Sequence, residues 1–203
     1  MCLSTPSATR VYRSPGAPAL LRTSMWVGAG AVLEWLPDHL IPSPGARLCQ
    51  STDIALAHDA TLLYLDAWAV GRAVRDEAWG FDLLDSALRI HDDVGALLRE
   101  RSILDGSPPR DGLGGTEGFA YVATFAAMRP AGADWSRLAR DLQDELARAA
   151  PECHIGVTTL GRGGMLVRML CPSAPQLKRA VERAWARSRR DLLGLPPLDL
   201  RKL

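Results

Sequence analysis

Two His-Asp dipeptides, His58-Asp59 and His91-Asp92, the second followed by Asp93, are the first residues with a claim to chemistry. Metal-dependent phosphohydrolases use such pairs on helices that converge on an ion. Here both pairs lie between strand-like runs, where Asp is an ordinary turn residue, so a turn competes with a metal site. A second group is ionisable residues set inside apolar, strand-like stretches: Glu34, Asp66, Arg72 and Glu77. Strand alternation places such a side chain on a solvent face, or else it needs a partner or a cavity. The functional alternative is a water-filled passage lined by carboxylates, which passes a divalent cation without holding it tightly. Gly161-Arg162-Gly163-Gly164 resembles a phosphate loop, but a strand pattern follows where a helix is required, so it reads as a hairpin turn. No Gly-x-Ser-x-Gly elbow occurs. Cys2, Cys49, Cys153 and Cys171 lack the spacing of a zinc knuckle and read as free thiols.

The elements that position these residues are mostly strands. Candidate runs are 20–27, 31–36, 47–56, 61–65 with a continuation over 67–73, 83–90, 95–104 and 119–128, separated by Pro-Gly, Gly-Ala-Gly, His-Asp and Asp-Asp breaks. Pro15-Gly16-Ala17 recurs as Pro44-Gly45-Ala46, and at the same offset of about 29 residues Ala31, Leu33 and Trp35 fall on Ala60, Leu62 and Tyr64. A turn repeated before an apolar strand points to stacked β-units. Residues 105–118, with two prolines and five glycines, read as a mobile loop. Asp134 caps a predicted helix to Ala149 with an apolar stripe at Leu138, Leu142 and Leu146. A hairpin is predicted over 154–171. Ser173, with Gln176 as capping-box partner and Pro175 in the first turn, opens a second helix that Pro196 and Pro197 close. That helix carries Lys178, Arg179, Arg183, Arg187, Arg189 and Arg190 around Trp185. The cluster reads as a solvated face or as a contact for an acidic partner.

With 203 residues, 47% hydrophobic and 23% charged, the chain has material for one domain spanning 1–203. A net charge of +1 gives no global attraction to nucleic acid or anionic membranes. No apolar run approaches the ~20 residues of a spanning helix. The start, Met1 to Pro6, lacks a secretory pattern, so the expected location is cytoplasmic.

Three ordered motifs give a resemblance. Thr5-Pro6-Ser7-Ala8-Thr9-Arg10-Val11-Tyr12-Arg13-Ser14 resembles the Thr-Pro-x-Ala-Thr-Lys-x-Tyr-Arg-Ser segment of the UreD (UreH) urease accessory proteins. Leu33-Glu34-Trp35-Leu36-Pro37, followed by Pro44-Gly45-Ala46, is similar to that family's Leu-Glu-Trp-Leu-Pro segment and its sequel. Gly71-Arg72 and Glu77 match its Gly-Arg-x-x-x-Gly-Glu stretch, with Asp76 in place of the second Gly. The resemblance implies a mainly β, layered β-helix-like (β-solenoid) fold with two C-terminal helices, and the family's strands before the Thr-Pro segment are absent from this chain. It further implies a non-enzymatic scaffold or chaperone for nickel insertion into apo-urease, in complex with UreF and UreG. The same resemblance implies no tightly bound cofactor and a transient passage of Ni2+, with neither nucleic acid nor membrane as an expected partner. Glu34, Asp38, Arg72 and Glu77 fall on or beside the matched motifs and are expected to line or support the nickel path.

Overall fold

The computed structural model describes residues 1–71, 77–105 and 115–200. Its strands are β1 (Cys2–Leu3), β2 (Thr9–Val11), β3 (Ala19–Val27), β4 (Val32–Trp35), β5 (Leu40–Pro42), β6 (Arg47–Leu56), β7 (Thr61–Ala69), β8 (Leu83–His91), β9 (Ala96–Asp105), β10 (Tyr121–Met128), β11 (His154–Thr159) and β12 (Gly164–Cys171). The helices are α1 (Trp135–Ala149) and α2 (Ala174–Leu193).

The strands form two mixed sheets. One runs β3-β6-β8-β9; the larger runs β1-β4-β7-β10-β12-β11, with β2 and β5 beside it. The 29-residue offset seen in the sequence is the pairing register itself: β3 lies parallel to β6 with Ala19 opposite Leu48, and β4 parallel to β7 with Leu33 opposite Leu62. Parallel pairing also joins β6 to β8, β1 to β4 and β2 to β5, but at other offsets. β9 returns antiparallel on β8, and β10, β12 and β11 are antiparallel neighbours. The architecture is therefore mainly β with two helices, in open sheets rather than a closed β-helical coil.

Three layers result. The four-stranded sheet packs on one face of the larger sheet through Ile54, Leu62, Tyr64, Ile90 and Met128, all fully enclosed. The two helices pack on the other face through Leu142, Leu146, Ala180, Ala184 and Trp185, against Leu63, Phe125, Val167 and Met169. This explains β7, whose first five residues are all buried: a strand covered on both sides loses the in-out alternation. Asp134 caps α1, accepting from the Arg137 amide at 3.0 Å.

Several boundaries differ from the sequence reading. β7 stops at Ala69 rather than running to 73, because the chain turns at Gly71 (φ 129°), where a Cβ would meet the Glu77 carbonyl oxygen at 2.5 Å. Residues 106–114 of the predicted mobile loop fall outside the described residues; β9 takes Asp105, and 115–118 form a turn. The Ser173 hydroxyl bonds Gln176 Oε1 at 2.6 Å, not a backbone amide. α2 ends at left-handed Gly194, whose amide bonds the Arg190 carbonyl, before either proline is reached. β1, β2 and β5 were not foreseen; at two or three residues each they carry too little pattern.

Candidate functional site

Strand alternation assigns every second residue of the inner strands to the space between the sheets. Along most of that space these residues are aliphatic, but at one level they turn polar in strand after strand. On the larger sheet Asp66 is opposite Thr124, and Thr124 is opposite Arg168. On the smaller sheet Gln50 is opposite Ser86, Ser86 opposite Ser102, and Leu88 opposite Glu100. The two rows face each other. They form a polar seam between the aliphatic cluster around Ile54 and Leu62 and a second cluster of Leu40, Leu48, Phe81 and Leu84.

The seam holds a cavity of about 60 Å³, lined by Asp66, Trp68, Ser86, Leu88, Glu100, Ser102, Val122 and Thr124. That is room for about two water molecules. Gln50 Nε2 donates to both Asp66 oxygens at 3.1 Å, and the Ser86 hydroxyl reaches Asp66 Oδ2 at 3.5 Å. No cation pairs with Asp66 among the described residues. Its carboxyl is pushed above the usual range, first by burial, with the charge of Glu100 acting the same way and the Gln50 and Ser86 hydrogen bonds opposing. Tyr64, also facing the seam, is raised by burial and by Asp66. Glu100 Oε1 meets Arg168, whose side chain is largely exposed, at 3.3 Å, while its Oε2 is buried with no hydrogen-bond partner among the described residues. Two carboxylates and three hydroxyls present oxygen toward the cavity, a donor set that suits a divalent cation held loosely.

Glu34 has a different environment. It lies on the helix-facing side of the same sheet and is only 4% exposed. Its Oε2 accepts from Trp185 Nε1 at 2.5 Å and its Oε1 is ion-paired with Arg189, itself 7% exposed. Trp185 and Arg189 are one helical turn apart on α2, so both reach the same carboxylate. The guanidinium also stacks 5.5 Å from the indole centre and donates to the Pro196 carbonyl at 2.9 Å.

Of the other expected site residues, neither Asp38 nor Glu77 lines the cavity. The Asp38 amide donates to Thr5 Oγ1 at 2.8 Å beyond β4, and Glu77 closes the turn at Gly71. Arg72 lies outside the described residues. Asp66 was among the in-strand charges singled out from the sequence, but Glu100 was missed, since Arg99 and Arg101 on either side make it look like surface.

His58-Asp59 lies in the turn between β6 and β7, whereas His91 ends β8 and Asp92 begins the turn that follows. Asp59 accepts from the Gly30 amide at 2.9 Å. Asp92 accepts from the Val94 and Gly95 amides at 3.0 Å and pairs with Arg162 of the β11–β12 turn. That guanidinium holds the Asp92 carboxyl below the usual range. His91 meets Asp53 at 3.2 Å. Among the described residues no three His, Cys, Asp or Glu side chains gather as a metal site, so the phosphohydrolase reading loses its basis. The basic face of α2 is partly neutralised: Arg187 pairs with Asp141, Glu145 and Asp191. All four cysteines are free, Cys153 and Cys171 buried. No described helix is long and apolar enough to cross a membrane.

Fold and site together define a β scaffold with an oxygen-lined seam and no assembled catalytic group among the described residues. A family model described as UreD urease accessory protein matches residues 1–202. Similar proteins include urease accessory protein UreD of Bacillus sp. strain TB-90, 29% identical over all of this chain and 74% of the relative. UreD of Pseudomonas putida KT2440 is 36% identical over 96% of this chain and 66% of its own length, and that of Alkalilimnicola ehrlichii 32% over 96% and 65%. The chain belongs to the UreD family of urease accessory proteins, and spans about two thirds to three quarters of the length of these relatives.

Proposed function

We propose that the chain is a non-catalytic scaffold for nickel insertion into apo-urease, acting in the cytoplasm with UreF and UreG, and that Ni2+ crosses it through the polar seam. The carrying observation is the Asp66–Glu100 pair, two carboxylates facing one small cavity, with no arginine on Asp66 among the described residues. An ion entering there offsets what raises Asp66, first its burial and then the charge of Glu100. Oxygen donors without imidazole or thiolate hold Ni2+ weakly, which suits release onward and leaves no resident cofactor. Arg168, exposed beside Glu100, stands at the mouth of the path. Glu34, with Asp38, Arg72 and Glu77, supports the path by fixing the surrounding framework, Glu34 through its lock on α2.

The test is co-expression with urease subunits, UreF and UreG, followed by pull-down and nickel analysis of the urease. The double variant Asp66→Asn/Glu100→Gln is expected to be recovered in the complex as wild type is, with urease nickel several-fold lower. Wild-type nickel loading by the double variant contradicts the seam as the path.

A further inference from the structure

The two sheets are covered unequally. The helices cover the outer face of the larger sheet, whereas among the described residues nothing packs on the outer face of β3-β6-β8-β9. The register shows what that face presents. Small residues, Cys49, Ser51, Ala55 and Ala87, occupy its two central strands. Arg22, Arg89, Arg99 and Arg101 stand around them. Low centre and long flanks make an open trough of about 540 Å³ between Ser51, Ala87 and the three arginines of β8 and β9.

Two properties select its occupant. The first is charge. Arg101 is paired with Asp85 at 2.8 Å, and Arg89 lies 3.7 Å from Asp53. Arg22 and Arg99 meet no carboxylate among the described residues, so the face keeps uncompensated positive charge on a chain whose net charge is only +1. The second is apolar anchorage: Leu20, Trp26 and Ile103 project on the same face, Trp26 at 78% exposure. Exposed Trp and Arg are the side chains that dominate binding energy at protein interfaces. Bases of a single strand stack on an exposed Trp but have no aliphatic surface for Leu20 and Ile103, which the apolar side of a helix covers as well.

Size and geometry narrow the choice further. Four strands of about nine residues cover roughly 30 by 19 Å, or about 570 Å², below the ~800 Å² per partner of a standard interface. That area fits one helix of about 20 residues, ~30 Å long and ~10 Å across. An extended peptide would dock at a strand edge, where backbone groups are unpaired; a sheet face offers side chains alone. We propose that this face docks a single acidic amphipathic helix of a partner protein, its carboxylates on Arg22 and Arg99 and its apolar side on Trp26 and Leu20.

The probe is a fluorescent 20-residue Glu/Leu amphipathic peptide, with a Lys/Leu peptide of the same pattern and a single-stranded 20-mer oligonucleotide as comparators, tested against the full chain. The acidic peptide is expected to bind at least ~10-fold more tightly than the basic one and to weaken ~10-fold between 50 and 300 mM salt, as screening of partly exposed charges requires. Arg22→Glu/Arg99→Glu, with an unchanged thermal melt, loses that binding, Trp26→Ala weakens it several-fold, and hydrogen exchange slows on β6 and β8. An Arg179→Glu/Arg190→Glu variant of α2 binds as wild type does. Absence of binding, equal binding of both peptides, tighter binding of the oligonucleotide, binding retained by the Arg22/Arg99 variant, or protection confined to α2 overturns the proposal. None of these readouts depends on nickel transfer, so the outcome is separable from the seam's role.

Discussion

Glu34 and Asp66 sit on opposite faces of the same sheet, one on β4 and one on its neighbour β7, and their surroundings are opposite in kind. Glu34 has a buried arginine and an indole N–H, both from α2. Asp66 has an amide, a hydroxyl and a second carboxylate nearby, across a cavity. A carboxylate satisfied by a fixed cation is closed to any other ion, and removing it strands that cation. A carboxylate beside another carboxylate is an open position whose own ionisation costs stability. The contrast separates a carboxylate locked by a fixed cation from one left open, although both residues look alike as acids within apolar strands.

Substitutions sharpen the contrast. Glu34→Ala leaves Arg189 buried without its counter-charge and is expected to cost about 3–5 kcal/mol in urea unfolding. A cost below about 1 kcal/mol would erase the distinction. Asp92→Asn, a second locked acid whose side chain is 1% exposed beside Arg162, should cost about 1–3 kcal/mol. Its dependence on pH has a definite sign. The folded value lies below the ordinary one, so Asp92 contributes fully above the ordinary carboxylate value and the contribution is lost as pH falls through the lowered one. Asp66 has the reverse sign. Its folded value is raised, so its contribution is complete below the ordinary carboxylate value and is lost as pH rises through the raised one. Asp66→Asn should therefore melt higher than wild type at neutral pH, by about 2–4 °C for a gain near 1 kcal/mol, with the gap closing toward about pH 4. A lower melting temperature at neutral pH would place Asp66 with the locked acids. Arg187→Ala, which breaks three ion pairs between and along the helices, is expected to cost under about 1 kcal/mol because their side chains are partly solvated. Double-mutant cycles with Asp141 and Glu145 measure that term.

Much of the framework is legible in the residues. The two amphipathic helices, the hairpin at Gly161–Gly164 and the longer strands follow from periodicity and turn chemistry, and the 29-residue echo encodes a parallel register. What is not legible depends on pairing across distance. Arg189 reads as one more cation on a basic helix until the fold brings it onto Glu34, 155 residues away. The seam is a coincidence of levels: Asp66 stands out in the sequence as a charge within an apolar strand, but Gln50, Ser86, Ser102 and Thr124 are unremarkable alone and become a site once register aligns them with it. Glu34 and the Gly71–Glu77 stretch were visible through motif resemblance, which marks residues that matter without saying whether they hold the fold or meet the ion.

The central claim is that Asp66 and Glu100, not Glu34 or the histidines, meet the cation. Titration of the chain with Ni2+, followed by paramagnetic broadening of its backbone amides, tests it directly. The expected result is broadening at Asp66, Ser86, Glu100 and Thr124 that disappears in Asp66→Asn/Glu100→Gln. Broadening confined to the surroundings of His58, His91 and His154, unchanged in that variant, would contradict it.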